Sequence, residues 1–280
     1  MHKNKIGFAG EGWGGLVAVK SLQKYFYLEC FTSDKYIKDE LTGNYNLINS
    51  FDEFNCDIII CAGYKPIIAA EFIKKYRIIN IHYSLLPKYR GLHSNAWAIM
   101  NGEKSLGLSI HLMNKYIDDG PILHQFEIEN DQISSAADYM KLMNEYIKLN
   151  LGNIILKYYK GNLIPKEQDK SKASWVGKRS EKHNLINFHK CFEFNKRLFR
   201  ILQPPYPSPQ TYYRGNLYFV GKASYHLSSL DTDISRILNI DEEGLWIKSK
   251  GGYIILNDIK DVDGKIINNN NFKIGNYLND

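Results

Sequence analysis

The amino-acid sequence predicts an α/β protein: a doubly wound, Rossmann-like, mostly parallel sheet over residues 1–183, with a small β-rich domain over 184–280. Three observations carry the prediction. Lys5-Ile6-Gly7-Phe8-Ala9 is a short apolar run entering the glycine turn Gly10-Glu11-Gly12-Trp13-Gly14-Gly15, after which Leu16, Val17, Val19 and Leu22 fall at helical spacing. Strand, glycine turn and helix open a βαβ unit. Cys56 to Gly63 is an unbroken apolar run, the mark of a parallel strand covered on both faces. Beyond Pro165 comes a polar, basic stretch, one further helical pattern, and then short runs of β-type residues.

Taken in order, Tyr27 to Phe31 reads as the second strand, and Pro66 to Tyr76 as a helix between the apolar run and a strand over 78–84. Strand, helix and strand in alternation argue for the parallel sheet. Ser94 to Met100 reads as a short helix, and Leu106–Met113 and Ile122–Ile128 alternate like strands around the connection 114–121. Ser134 to Asp138 offers an N-cap for one long helix over Tyr139–Tyr159, ended by Gly161. Residues 166–184 read as a linker or loop crossing, and Phe188–Leu202 as a helix stopped by Pro204 and Pro205. Strand-like runs follow at 211–213, 217–220, 245–248 and 253–259, with a low-complexity turn at 268–271.

The bulk properties narrow the function classes. A chain of 280 residues with 44% hydrophobic and 24% charged residues is ordinary for a soluble globular protein. The N-terminal Met1-His2-Lys3-Asn4-Lys5 leads into a strand without a signal peptide, and no run reaches the length of a membrane span. Cys30, Cys56, Cys61 and Cys191 have no metal-ligand spacing, so reduced thiols and a cytoplasmic location are expected. Of the 36 Lys/Arg and 30 Asp/Glu, 24 and 20 fall in 1–183 and 12 and 10 in 184–280. Neither part is basic enough to call for nucleic acid, although a small anionic ligand suits the field.

Two stretches carry the chemistry. At the end of the strand over 78–84, Asn80, His82 and Ser84 alternate onto one face, and the strand then breaks into a loop with Pro87, Lys88, Arg90 and Gly91. Polar groups gathered at the carboxyl end of a buried strand are how α/β proteins commonly build active sites, although a strand end emerging into water carries polar residues too. The second stretch is Ile117-Asp118-Asp119-Gly120-Pro121, which puts a carboxylate at the mouth of the sheet; Asp-Gly also suits a plain surface turn. Gly10, Gly12 and Gly15 satisfy G-x-G-x-x-G, but neither Glu29 nor Asp34 closes the second strand as a dinucleotide site requires. The turn still suits an anion, with Trp13 beside it and Lys65 after the buried strand.

Asn80-x-His82, Ser84-Leu85-Leu86-Pro87-Lys88-Tyr89-Arg90-Gly91 and Asp118-x-Gly120 together resemble the formyltransferase family that uses 10-formyltetrahydrofolate. The likeness covers the α/β part and recurs at Arg200–Pro209. Within the family the sequence resembles the sugar N-formyltransferases, at Ser94–Ile99, Asn101-Gly102-Glu103, Gly107–His111 and Ile117–Ile122. The resemblance implies Asn80, His82 and Asp118 as the catalytic residues. It implies 10-formyltetrahydrofolate as co-substrate, held near Ser84, Leu85, Leu86, Pro87, Arg90, Gly91, Ile117 and Asp118, and no metal. Gly12, Trp13, Lys65 and Lys88 are the candidates for a nucleotide sugar, with a dTDP-linked 4-amino-4,6-dideoxy sugar of surface-polysaccharide or O-antigen synthesis the implied acceptor. A homodimer is likewise implied, with no nucleic-acid or membrane partner. His111 reads as a structural histidine, and His93 lines the site without an assigned role. The alternatives are formylation of methionyl-tRNA or another small amine, and a dinucleotide-binding oxidoreductase.

Overall fold

The computed structural model describes residues 4–43, 45–229 and 231–279. Met1, His2 and Lys3, read above as the lead-in to the first strand, lie outside the described residues. The chain divides into two compact units: the chain up to Ala98 with Lys104–Glu129 and Asp138–Lys178, and Ile99–Glu103 with Asn130–Ala137 and everything from Arg179. No helix among the described residues is long and apolar enough to cross a membrane.

The first unit is built on β1 (Asn4–Gly10), α1 (Gly12–Leu22), β2 (Phe26–Phe31), α2 (Lys35–Glu40), β3 (Tyr45–Leu47), β4 (Ile58–Ala62), α3 (Ala70–Lys75), β5 (Arg77–His82), β6 (Arg90–Gly91), α4 (Ser94–Met100), β7 (Ser105–Leu112), β8 (Ile122–Glu129), α5 (Ala136–Tyr159) and β9 (Trp175–Val176). Seven strands form one sheet in the order β3-β2-β1-β4-β5-β7-β8. The first five are parallel, and β7 and β8 add antiparallel at the β5 edge. The continuous apolar runs of β1 and β4 occupy the buried centre: Ile6, Phe8, Ile59 and Ile60 are wholly inaccessible. Gly10 and Gly15 are small because a Cβ on either would crowd the Ala62 carbonyl, where α1 leaves the sheet.

The second unit carries α6 (Phe192–Ile201) and an antiparallel sheet of β10 (Gln210–Tyr213), β11 (Asn216–Leu227), β12 (Ile237–Asp241), β13 (Gly244–Ser249) and β14 (Gly252–Lys260), in the order β10-β11-β14-β13-β12. Arg200 of α6 is buried and ties the segment 130–137 down, donating to the Ser134 carbonyl at 2.9 Å and to Asn130 Oδ1 at 2.7 Å.

Several expectations change. The helix expected over 66–76 begins only at Ala70, because Ala69 is extended and Ile67 is exposed to solvent. The helix expected from Phe188 starts at Phe192, and Asn187 ahead of it is clasped at both backbone groups by the Asn195 amide. β11 runs to Leu227, well beyond the 217–220 expected, because β14 pairs along most of its length. The strand expected over 78–84 leaves the ladder after His82. Finally, 166–184 is not a simple linker. Lys166 forms an antiparallel bridge with Ile122, Gln168 is buried, and β9 pairs in parallel with β6.

Candidate active site

Register brings the polar side chains of two strands together. In the antiparallel β5–β7 pair Asn80 lies opposite His111 and His82 opposite Ser109, so all four share one face of the sheet. His82, Ser109 and His111 are buried there and Asn80 is half-buried. The β7–β8 connection adds Asp118. Its carboxylate sits between the two imidazoles, Oδ2 at 3.5 Å from His82 Nδ1 and Oδ1 at 3.5 Å from His111 Nε2. The Gly91 N–H donates to Oδ2 at 2.8 Å.

Neighbouring carbonyls assign the protons. His82 Nε2 lies 2.8 Å from the Tyr89 carbonyl, so Nε2 carries the hydrogen and Nδ1 is the basic nitrogen facing Asp118. His111 Nδ1 lies 2.9 Å from the Leu112 carbonyl, and its Nε2 lies 3.3 Å from Asn80 Nδ2 and 3.5 Å from Asp118 Oδ1. The Asn80 amide is thereby oriented with its nitrogen toward His111, and one of its two N–H donors stays uncommitted by that bond.

Burial pushes His82 below its ordinary value; the Asp118 charge and the Tyr89 carbonyl oppose that shift without cancelling it. For Asp118 burial acts toward a higher value, but the His111 hydrogen bond, the His82 imidazole and the Gly91 N–H together hold the carboxyl below the usual carboxylate range. The ground state is therefore an ionised carboxylate beside a neutral, basic imidazole.

The loop after β5 is braced from within. Ser109 Oγ donates to the Ser84 carbonyl at 2.7 Å and accepts from the Leu86 N–H at 3.0 Å, while Gln125 donates to the Leu86 carbonyl at 2.9 Å. Ser84 was expected beside Asn80 and His82. With the ladder ending at His82, its hydroxyl turns into the loop and donates to the Lys88 carbonyl at 2.8 Å. Leu85 and Pro87 are half-buried, Leu86 is buried, and Lys88 is exposed. Arg90 is 3% exposed: it pairs with Asp119 Oδ1 at 2.6 Å and lies over the Trp175 ring. Ile117, beside Asp118, is 70% exposed.

The structure gathers Asn80, His82, Asp118, Arg90 and Gly91 into one cluster. Of the residues proposed for a nucleotide, Gly12 and Lys65 lie beside carboxylates of the chain itself, and Lys88 lies in the loop after β5. The Gly12 N–H donates to Asp34 Oδ2 at 2.7 Å, so the chain's own carboxylate takes an amide that a phosphate would use. Lys65, exposed, is 3.9 Å from Glu11, and Trp13 is 52% exposed. Two participants were missed. His111 belongs to the cluster, and the alternation Gly107, Ser109, His111 opposite Leu106, Leu108, Ile110 already marked a polar face. Gln168 donates to the carbonyls of Asp118 and Gly120, at 2.8 and 2.7 Å; nothing local in the sequence points to it.

Residues 16–149 match the formyl transferase family and residues 178–277 match the formyl transferase C-terminal domain. The chain belongs to the formyltransferase family. This formyltransferase is 32% identical over 251 residues to a methionyl-tRNA formyltransferase of Dictyoglomus thermophilum, covering 87% of the chain and 80% of the relative. Its fold is shared with the N-formyltransferase of Helicobacter canadensis, solved with folinic acid and dTDP-3-aminofucose, at a TM-score of 0.69 and 18% identity over 91% of the chain and 99% of the neighbour. HypX from Aquifex aeolicus, solved with tetrahydrofolic acid, shares it at a TM-score of 0.65 and 15% identity over 94% of the chain. The formyltransferase spans 45% of the HypX chain. By family it is an enzyme, a transferase.

Proposed function

We propose that this formyltransferase moves a formyl group from 10-formyltetrahydrofolate to the amine of a nucleotide-linked 4-amino-deoxysugar, with Asn80, His82 and Asp118 as the catalytic residues. The observation that carries the reading is the buried His82 whose Nδ1 faces the Asp118 carboxylate at 3.5 Å, with burial holding the imidazole below its ordinary value. The folate, when bound, supplies a formyl carbon on a leaving nitrogen. Formylation of an amine needs a donor for the developing oxyanion and a base for the amine's proton. Asn80 Nδ2 has the donor, and such a donor is typically worth about 2.7–4 kcal/mol. His82 Nδ1 takes the proton, a step typically worth about 10²–10⁴ in rate. Once His82 is protonated, the Asp118 carboxylate 3.5 Å away balances the charge.

The donor side is the loop 84–91 with Ile117. Leu85, Pro87 and Ile117 contribute contact surface, while Ser84, Leu86, Arg90 and Gly91 brace it. Exposed Ile117 and Leu92 beside a buried polar centre suit a flat aromatic ligand. On the acceptor side, exposed Trp13 and Lys65 offer an indole face and an ammonium to a base and a phosphate, Lys88 is a further exposed ammonium, and Gly12 serves a phosphate once Asp34 releases its N–H. A nucleotide sugar is favoured by the near balance of 12 Lys/Arg and 10 Asp/Glu over 184–280, since tRNA calls for a basic surface. The ligands named for the H. canadensis enzyme, folinic acid and dTDP-3-aminofucose, support the two substrate classes, a folate and a dTDP-linked amino sugar. Formylation of methionyl-tRNA is the second reading, favoured by the name of the D. thermophilum relative.

An assay of the purified protein with 10-formyltetrahydrofolate against dTDP- and UDP-linked amino sugars, with methionyl-tRNA alongside, separates the two. Turnover on a sugar is expected. Turnover on the tRNA and on no sugar overturns the acceptor, and a His82→Ala variant that binds both substrates at full rate overturns the catalytic assignment.

A further inference from the structure

Asp118 sits in a backbone conformation that it does not hold alone. Its φ is 51°, in the left-handed region, which costs a non-glycine residue about 1–2 kcal/mol and persists only where surroundings impose it. The connection 114–121 is gripped at this point by Gly91 and Arg90 of the loop after β5, on its side chains, and by a segment about fifty residues downstream, on its backbone. Lys166 and Ile122 exchange backbone hydrogen bonds at 2.7 and 2.8 Å, which delivers Gln168 to the inner side of the turn. There Gln168 Nε2 donates to the Asp118 carbonyl at 2.8 Å and to the Gly120 carbonyl at 2.7 Å, straddling the turn. Its Oε1 accepts from Arg90 Nη2 at 2.7 Å, and Arg90 Nη1 reaches Asp119 Oδ1 at 2.6 Å.

This arrangement has one amide orientation. Turning the amide over would set its oxygen against two carbonyl oxygens and its NH₂ against a guanidinium, so both ends of the side chain are specified. Gln168 is 7% exposed and Arg90 3%, so water does not readily replace either partner. The same segment runs on along the loop after β5. Ser174 accepts the Tyr89 N–H on Oγ at 2.9 Å and the Arg90 N–H on its carbonyl at 2.9 Å, and donates to the Pro87 carbonyl at 3.2 Å. Residues 166–176 thus hold the two pieces of backbone that face His82: the turn bearing Asp118, and Tyr89 to Gly91.

We infer that Gln168 is a positioning residue, whose side-chain amide pins the Asp118 turn so that the carboxylate meets both His82 and the Gly91 N–H. The inference rests on the reading of Asp118 as a catalytic residue. Gln168 touches neither imidazole; it acts through the turn. A misplacement of about 1 Å at a reacting centre costs on the order of 100-fold in rate. That is the loss expected in kcat for Gln168→Met, which keeps the length and packing and removes both donors and the acceptor. KM for the acceptor should change little, because Trp13 and Lys65 are untouched, whereas KM for the folate rises modestly, because Ile117 shares the loosened turn and Arg90 loses a partner.

The test is a double-mutant cycle on the full-length protein with whichever acceptor turns over: wild type, Asp118→Asn, Gln168→Met and the two combined, each checked for a cooperative thermal transition. If Gln168 works through Asp118, the double variant is no slower than Asp118→Asn alone. Losses that multiply, or a kcat for Gln168→Met at the wild-type level, overturn the inference. An Asp118→Asn variant at the wild-type rate overturns instead the catalytic reading of Asp118. Should Gln168→Met fail to fold, Gln168→Glu replaces it. That variant keeps the Arg90 contact and sets a carboxylate oxygen against the Asp118 and Gly120 carbonyls in place of the two donors, and the same comparison decides.

Discussion

Replacing Asp118 with Asn tests the charge at the centre of the site while sparing its shape. The amide is as large as the carboxylate and its oxygen can still accept the Gly91 N–H, which the carboxylate accepts at 2.8 Å. What disappears is the negative charge 3.5 Å from His82 Nδ1. At an effective dielectric of about 20, unit charges at that separation attract by about 4–5 kcal/mol. The two side chains are only 7% and 12% exposed, so solvent removes little of it. That energy is available when His82 carries the proton, and is absent while the imidazole is neutral. Its loss corresponds to at most about a thousand- to five-thousandfold in kcat.

The sign of the pH effect follows from the same contact. Burial already holds His82 below its ordinary 6.5, and Asp118 acts in the opposite direction. In Asp118→Asn the opposing influence is gone, so His82 titrates at still lower pH. Two measurements read this: the imidazole ring-proton shift of His82 by NMR, which needs no substrate, and the acid limb of kcat/KM. In the wild type the neutral imidazole is the base. Activity is therefore present above 6.5 and lost as the pH falls through the lower folded-state value. The stability that neutral His82 confers is lost on the same descent. A midpoint that holds or rises in the variant, or a kcat within about threefold of the wild type, refutes the reasoning.

Two further outcomes follow from other parts of the chain. Burial, joined at Cys56 by the Glu29 carboxylate, pushes the thiols of Cys30, Cys56 and Cys61 up to about 12, while Cys191 is exposed. An aromatic disulfide reagent at about pH 8 should therefore label Cys191 rapidly and the other three only on unfolding; rapid labelling of more than one thiol contradicts this. Arg200→Met keeps the buried stem and removes the donors to Ser134 and Asn130. Urea unfolding should report a loss of about 2–4 kcal/mol from the β-rich unit, and a loss under about 0.5 kcal/mol would mean that Arg200 does not hold that segment.

Much of this protein is legible from local pattern. The alternation of an apolar strand, a glycine turn and a helix at 5–22 is written in neighbouring residues, and so is the run that becomes the buried strand β4. Asn80 and His82 stand two apart on one strand, and a strand's period puts them on one face whatever else the chain does. The period fails where the strand ends. Ser84 has the right spacing but lies beyond the last ladder pair, and no local signal marks that point.

What the sequence by itself determined, then, is the layered fold, the strand that carries Asn80 and His82, and the motifs that mark the family. Only the tertiary structure decided how that strand is completed. The pairing of β5 with β7 sets His111 opposite Asn80, a matter of register between residues thirty-one apart. The grip of Gln168 on the Asp118 turn spans fifty residues. Both are hydrogen bonds between groups that meet only after the chain has collapsed. The polar stretch over 166–184 reads as a linker or loop crossing because its side chains are mostly polar, yet many of the bonds made by 166–176 are backbone ones, which residue types do not display.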